Sequence, residues 1–169
     1  MRYSKAYQPP VDLLKERVIL VTGAGDGIGR ACARAFAQYG ATVILLGRTV
    51  RKLEAVYDEI DGLGAPQPAI YPMDLLGATA NDYDDLASRV KGELGRLDGI
   101  LHNAGLLGAL MSIEHYDLKM WSEVMHVNVS APMMLTRACL PLLQTSPDAA
   151  VVFTSSGVGR KGRAYWGAY

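Results

Sequence analysis

The sequence predicts an α/β fold, a doubly wound parallel sheet in strand order 3-2-1-4-5 with helices on both faces. Three observations lead there. Short apolar runs alternate with helix-length amphipathic stretches along the chain. The apolar runs are nearly continuous rather than alternating, as strands covered on both faces should be. The first run, Arg17-Val18-Ile19-Leu20-Val21, passes through Thr22 into a glycine-rich turn and straight into helix-forming Arg30–Ala37. Right-handed crossovers then set the strand order and put ligands at the carboxyl ends of the strands.

Taken in order, the first strand covers 17–22 and the first helix 28–39, ended by Gly40 at its C′ position. A strand at Thr42–Leu46 precedes a helix over 50–61, which Gly62 and Gly64 close in the same way. A strand at Pro68–Met73, a helix over 79–94 and a strand at Asp98–His102 follow. A long helix from about 117 to 144 contains Pro132 and Pro141 and should kink or break at them. Ala150–Thr154 supplies the fifth strand.

Composition narrows the function classes. The chain has 169 residues, half of them hydrophobic, with no net formal charge. That size suits one domain able to bury about 70% of its unfolded surface. Neutrality argues against a general electrostatic affinity for nucleic acid or an anionic membrane. No apolar stretch approaches the ~20 residues of a membrane span. Residues 1–16 carry charges and Pro9-Pro10 without an apolar signal core, so they read as an N-terminal extension of a cytoplasmic protein. Cys32 and Cys139 sit in apolar helical patterns far apart in sequence and read as reduced core thiols. His102, His115 and His126 have no partner at ligand spacing, so no metal is assigned.

The turn Gly23-Ala24-Gly25-Asp26-Gly27-Ile28-Gly29 carries the first functional signal. Its glycines at 23, 27 and 29 remove Cβ atoms where the backbone must turn and let a bulky group approach. The helix that follows offers unpaired N–H groups and its positive dipole end to a pyrophosphate. The spacing is G-x-x-x-G-x-G; neither G-x-G-x-x-G nor a P-loop fits, since no Gly-Lys-Ser/Thr closes the run. The turn therefore reads as a pyrophosphate site, or as an ordinary glycine-rich strand–helix turn; the dinucleotide-binding domain that it would open begins at Arg17 and runs to the last residue.

Five ordered motifs resemble those of the short-chain dehydrogenase/reductase family, from Arg17 to the last residue. They are Thr22-Gly23 with Gly27-Ile28-Gly29, then His102-Asn103-Ala104-Gly105, Asn128 in Val127-Asn128-Val129, Ser156, and Tyr169 thirteen positions later. The likeness is strongest to a little-characterised bacterial branch, through Leu101–Gly108 and Phe153–Ser156. His102 replaces the first asparagine of the family's Asn-Asn-Ala-Gly signature and is expected at a strand end beside the cofactor. The resemblance implies a Rossmann-type sheet and an NADP- or NAD-dependent oxidoreductase acting on a small carbonyl or alcohol. It implies Tyr169 as acid/base, Ser156 as carbonyl-orienting donor, with Ser155 its competitor, and Asn128 as organiser of a proton-relay water. Gly23, Asp26, Gly27, Ile28 and Gly29 would form the cofactor-binding loop. Asp74 and Leu75 would meet adenine, and Asn103, Ala104 and Gly105 would flank the adenine ribose.

The choice of nicotinamide is a charge question at the end of the second strand. An acidic side chain there suits a free ribose 2′-OH, and a basic one a 2′-phosphate. Arg48 follows Gly47, and a guanidinium fork matches phosphate geometry. NADP is therefore preferred and NAD is the second choice. Asp26 is the counter-evidence, because phosphate-binding members of the family often carry a basic residue in the glycine loop. Arg51 and Lys52 read as solvated helix-face charges. The loop Gly159-Arg160-Lys161-Gly162-Arg163 reads as solvated too, or as a cradle for an acidic substrate, a phosphopantetheine carrier or the cofactor's phosphates.

Members of the family place a lysine four residues after the tyrosine, where its charge favours the phenolate. Here the tyrosine is the last residue, so the chain reads as a fragment of a longer, homo-oligomeric reductase. An inactive nucleotide-binding or scaffolding fragment is the alternative. A methyltransferase on a related sheet is a third reading, against which Arg48 argues.

Overall fold

The computed structural model describes residues 8–169. Of the expected extension at 1–16, residues 1–7 lie outside that range. Five strands form one parallel sheet in the order β3-β2-β1-β4-β5: β1 Val18–Thr22, β2 Thr42–Gly47, β3 Ala69–Pro72, β4 Gly99–His102 and β5 Ala150–Phe153. All five residues of β1 are buried, which suits the central position of an unbroken apolar run. Its register sets Ile19 beside Val43 of β2 and Gly99 of β4.

Helices α1 (Gly27–Gln38) and α2 (Val50–Asp61) cover one face of the sheet, and α3 (Ala80–Leu94) and α5 (Ala131–Leu143) the other. Strand alternation feeds two cores. Leu20, Ile44, Leu46 and Ile100 face Tyr83, Leu86, Leu135 and Cys139, while Val21, Val43, Leu45 and Leu101 face Ala33, Ala37, Leu53 and Val56. Cys139 and Cys32 therefore lie on opposite faces of the sheet, and burial raises the Cys139 thiol to about 12.

Helix ends follow local chemistry. Gly40 adopts φ +96° just past α1, as a C′ glycine should. The end of α2 differs from expectation: Gly62 stays right-handed at φ −63°, and Gly64, at φ +66°, supplies the left-handed turn. Thr79 and Asp82 close a capping box on α3, with Asp82 Oδ2 accepting from Thr79 N at 2.7 Å.

The long helix expected over 117–144 is divided. α4 spans Leu118–Met125, a π segment runs His126–Ser130, and α5 continues to Leu143. Pro132 explains the place of the change. It has no N–H to give the Asn128 carbonyl four residues earlier, and just ahead of it the Ala131 N–H reaches back five residues to His126 O. Pro141 lies two residues from the end of α5 and does not stop it.

Asp98, just before β4, ties three segments together. Its buried carboxylate accepts from Val18 N (2.8 Å), Ser146 Oγ (2.7 Å) and the Arg96 guanidinium (2.6 and 2.8 Å). Burial alone would raise its pKa, but these donors outweigh that and hold it below the ordinary carboxylate value. A depressed folded-state pKa gives stability that is present above the unfolded value near ~4 and lost as pH falls through the folded value. Asp98→Ala should thus lower unfolding free energy at pH 7 by about 1–3 kcal/mol, the cost of an orphaned buried N–H at Val18. The difference from the parent should shrink in urea melts carried to progressively lower pH below 4; a pH-independent difference would remove this role.

Candidate cofactor and active site

A cavity of about 570 Å³ opens at the carboxyl ends of β1, β2, β3 and β4. Of the sequence-predicted site residues, Gly23, Asp26, Arg48, Asp74, Leu75, Asn103, Ala104 and Gly105 line it. Gly27, Ile28 and Gly29 do not, and neither do Asn128, Ser156 and Tyr169.

The glycine loop is held from several sides. Ala24 N donates to Leu46 O at 3.1 Å, fastening the loop to the end of β2. Gly23 has φ +66°, and a Cβ there would lie 3.0 Å from Ala104 Cα. A Cβ on Gly29 would sit 2.2 Å from Gly23 O and 2.7 Å from Asn103 Nδ2, so this position admits no side chain at all. Gly27 differs: it has φ +51° and nothing within 4 Å of its missing Cβ. Two glycines thus serve internal packing, and the third keeps open the backbone at the start of α1. Ile28 is largely exposed on the first turn of α1.

The strand ends are locked to one another. Thr22 Oγ1 accepts from both Asn103 N and Ala104 N at 3.0 Å, binding the end of β1 to the loop after β4. Sequence reasoning gave Thr22 no role. The signal was a lone hydroxyl ending an otherwise apolar strand. Asn103 Oδ1 accepts from Thr154 Oγ1 at 3.2 Å. Asp74 Oδ1 accepts from Leu76 N at 3.2 Å, and the His126 imidazole donates to Leu75 O at 3.1 Å.

At the end of β2, Arg48 is exposed on the cavity rim. Lys52 is exposed on the first turn of α2, as expected of a helix-face charge, and it also reaches back to the glycine loop: its Nζ lies 2.7 Å from Asp26 Oδ2. Asp26 also accepts from Gly27 N at 2.8 Å. The Lys52 hydrogen bond first, and the Gly27 N–H second, hold its carboxyl below the usual range. Nearby, Arg30 and Arg34 of α1 converge on Glu59 of α2, outside the cavity lining.

His102 ends β4, as expected, but does not line the cavity. It is buried, with Nε2 2.8 Å from Thr136 Oγ1 and its ring stacked on Phe153 at 4.7 Å. Burial pushes its imidazole down to about 4, so it packs as a neutral ring. It points to the α5 side, as Ile100 two residues earlier does.

The residues expected to carry chemistry are not hydrogen-bonded to one another among the described residues. Asn128 lies in the π segment and spends both ends of its amide on Leu106: Oδ1 accepts from Leu106 N at 2.8 Å, and Nδ2 donates to Leu106 O at 2.9 Å. Ser156 is half-buried and starts the short 3₁₀ turn Gly157–Gly159. Tyr169 is 43% exposed, its ring 5.9 Å from that of Trp166. The basic loop 159–163 is exposed, with the Arg163 guanidinium 5.5 Å from the Trp166 ring centroid. No helix among the described residues is long and apolar enough to cross a membrane.

Comparison with known proteins follows the same lines. The chain is 53% identical over 163 residues to the uncharacterized oxidoreductase YciK of Escherichia coli strain K12, covering 96% of this chain and 65% of YciK. It thus spans just under two thirds of that relative's length. A solved structure from Shigella flexneri 2a, complexed with NADP, superposes with a TM-score of 0.91 at 51% identity, covering 95% of this chain and 67% of that one. Another, from Escherichia coli CFT073 and complexed with NADPH, has a TM-score of 0.91 at 54% identity, with the same coverage of 95% and 67%. The family model described as short chain dehydrogenase matches residues 17–169. With the parallel sheet and its glycine-loop cavity, that match settles the family: the chain belongs to the short-chain dehydrogenases.

Proposed function

We propose that the complete protein is an NADP(H)-dependent oxidoreductase interconverting a carbonyl and an alcohol. The observation that carries this reading is the cavity itself, with Arg48 on its rim where a ribose 2′ substituent would fall. The complexes of similar proteins with NADP and NADPH support it. The residues present fit a dinucleotide. Open space over Gly27 leaves room for a pyrophosphate at the start of α1, and Gly23 and Gly29 allow the loop to pack close beneath. Arg48 takes the 2′-phosphate, Asp74 and Leu75 border the adenine, and Asn103, Ala104 and Gly105 border its ribose. Ile28 belongs to the turn that presents the α1 N–H groups.

When bound, the nicotinamide supplies or accepts the hydride. The chain's own part is to place and protonate the substrate. Ser156 Oγ donates to the carbonyl oxygen, and Tyr169 Oη delivers the proton as that oxygen gains charge. The Asn128 amide is committed to Leu106, so its part in a proton relay falls to its main-chain carbonyl, which Pro132 deprives of an α-helical donor. A second reading, nucleotide binding without catalysis, applies to a polypeptide of these 169 residues alone. It is favoured by Tyr169, 43% exposed with its ring 5.9 Å from that of Trp166 and with no hydrogen bond to Ser156 among the described residues.

Arg48→Asp tests the cofactor assignment. In the complete protein the change should reverse the preference from NADPH to NADH, because a carboxylate repels the 2′-phosphate and accepts from a free hydroxyl. Fluorescence titration with both cofactors reads the result, and equal affinities in the parent would remove Arg48 from the role.

A further inference from the structure

The glycine loop carries a carboxylate where a phosphate-rich ligand is to bind, and the structure supplies a counter-charge from another element. Lys52 stands in the first turn of α2, yet its Nζ is 2.7 Å from Asp26 Oδ2. Gly25 permits the approach, since a Cβ there would lie 2.9 Å from Lys52 Cβ. Asp26, Lys52, Arg48 and Thr49 all line the cavity. Arg48 and Lys52 are the two cations of a cavity lining that also holds the carboxylates Asp26, Asp74 and Glu123, and of these only Asp26 is ion-paired to either cation among the described residues. The Lys52–Asp26 pair is open to water, with side chains 56% and 71% exposed, so it is weakly held and a competing anion displaces it at little cost. A phosphate monoester dianion carries up to twice the charge of Asp26 and more acceptor oxygens.

We propose that Lys52 is a specificity-determining residue for the cofactor's 2′-phosphate, and that Asp26 is a built-in anion which this phosphate displaces. The proposal rests on the reading of the cavity as an NADP(H) site. A cofactor with a free 2′-hydroxyl has no dianion to draw the ammonium away, so the ion pair persists beneath it. Asp26 then disfavours the phosphorylated cofactor twice, by repulsion and by competing for Lys52. Its removal should tighten binding of the phosphorylated cofactor more than that of the other, which shares only the pyrophosphate. Asn keeps the capping oxygen for Gly27 N and removes only the charge.

The test is a titration of the complete protein with NADPH and NADH at low salt, for the parent, Asp26→Asn, Lys52→Met, Lys52→Arg and the Asp26→Asn/Lys52→Met double variant. Asp26→Asn should bind NADPH about tenfold more tightly, equivalent to one charge-assisted contact, with a clearly smaller gain for NADH; an equal gain for both overturns the displaced-anion role. Lys52→Met should weaken NADPH about tenfold, and Lys52→Arg should restore most of the loss. The double variant should still bind NADPH more weakly than Asp26→Asn alone, since the phosphate loses its ammonium even when the carboxylate is gone. Unchanged or weaker NADPH binding by Asp26→Asn overturns the displaced-anion role. A double variant equal to Asp26→Asn shows that Lys52 only neutralises Asp26 and overturns its contact with the phosphate. A parent that binds neither cofactor overturns the NADP(H) reading itself, and this inference with it.

Discussion

Tyr169→Phe in the complete protein should lower turnover by about 10²-fold or more, the contribution of a positioned general acid. NADPH affinity should stay close to that of the parent, because the lost hydroxyl acts on the reacting oxygen and not on the dinucleotide. A fall in kcat and kcat/KM together, without a change in cofactor affinity, is the signature of an interaction made in the transition state. Ser156→Ala should act in the same direction through loss of the donor to the carbonyl oxygen. Ser155→Ala is the control. Should it cripple the enzyme while Ser156→Ala is mild, the assignment is one residue out. Turnover by Tyr169→Phe within a factor of two or so of the parent would remove the tyrosine from proton transfer.

Gly29→Ala should be the most damaging single methyl in the cofactor loop. The added Cβ would lie 2.2 Å from Gly23 O and 2.8 Å from Gly23 C, both backbone atoms of the same loop. Neither can swing aside as a flexible side chain would, so the loop must open and carry with it Gly23's packing on Ala104. Overpacking of this kind costs about 1–3 kcal/mol, and the opened loop should no longer bind NADPH. Gly27→Ala separates packing from ligand approach. Its Cβ would meet no atom, and the cost is the left-handed φ of +51°, of order 1–2 kcal/mol. Thermal unfolding with and without NADPH distinguishes the two. Both variants should lose the shift that NADPH gives the parent, with Gly29→Ala starting from the lower Tm. A Gly29→Ala protein with the parent's Tm and NADPH shift would contradict the close packing at that glycine.

What was legible in the sequence was what depends on local pattern. The strands were readable because β1 and β2 are continuous apolar runs and each lies between helix-forming stretches. The order β3-β2-β1-β4-β5 follows from crossover handedness. The glycine spacing marked the turn between β1 and α1, although not that Gly23 and Gly29 pack internally while Gly27 faces open space. Side chains that act across elements escaped. Lys52 is solvated, as its helix position suggests, but that position says nothing of its reach to a loop 26 residues earlier. Thr22 was quoted within a motif, but its two accepted hydrogen bonds come from residues 81 and 82 positions away. His102 could have been placed from strand alternation, since it shares the face of Ile100 rather than that of Leu101. The π segment was half legible. Pro132 marked the place, while the register change shows only once the Ala131 N–H is traced to His126 O.

The ³¹P resonance of the cofactor's 2′-phosphate reports most directly on whether Arg48 and Lys52 hold it. Free in water, a phosphate monoester takes up its second proton near pH 6. Beside two cations the dianion is favoured, so its pKa falls. In a complex of the complete protein with NADP, the 2′-phosphate signal should therefore remain that of the dianion on titration well below pH 6, and Arg48→Asp should abolish that protection. A 2′-phosphate that titrates in the complex as it does free in solution would contradict the placement of the cofactor in this cavity.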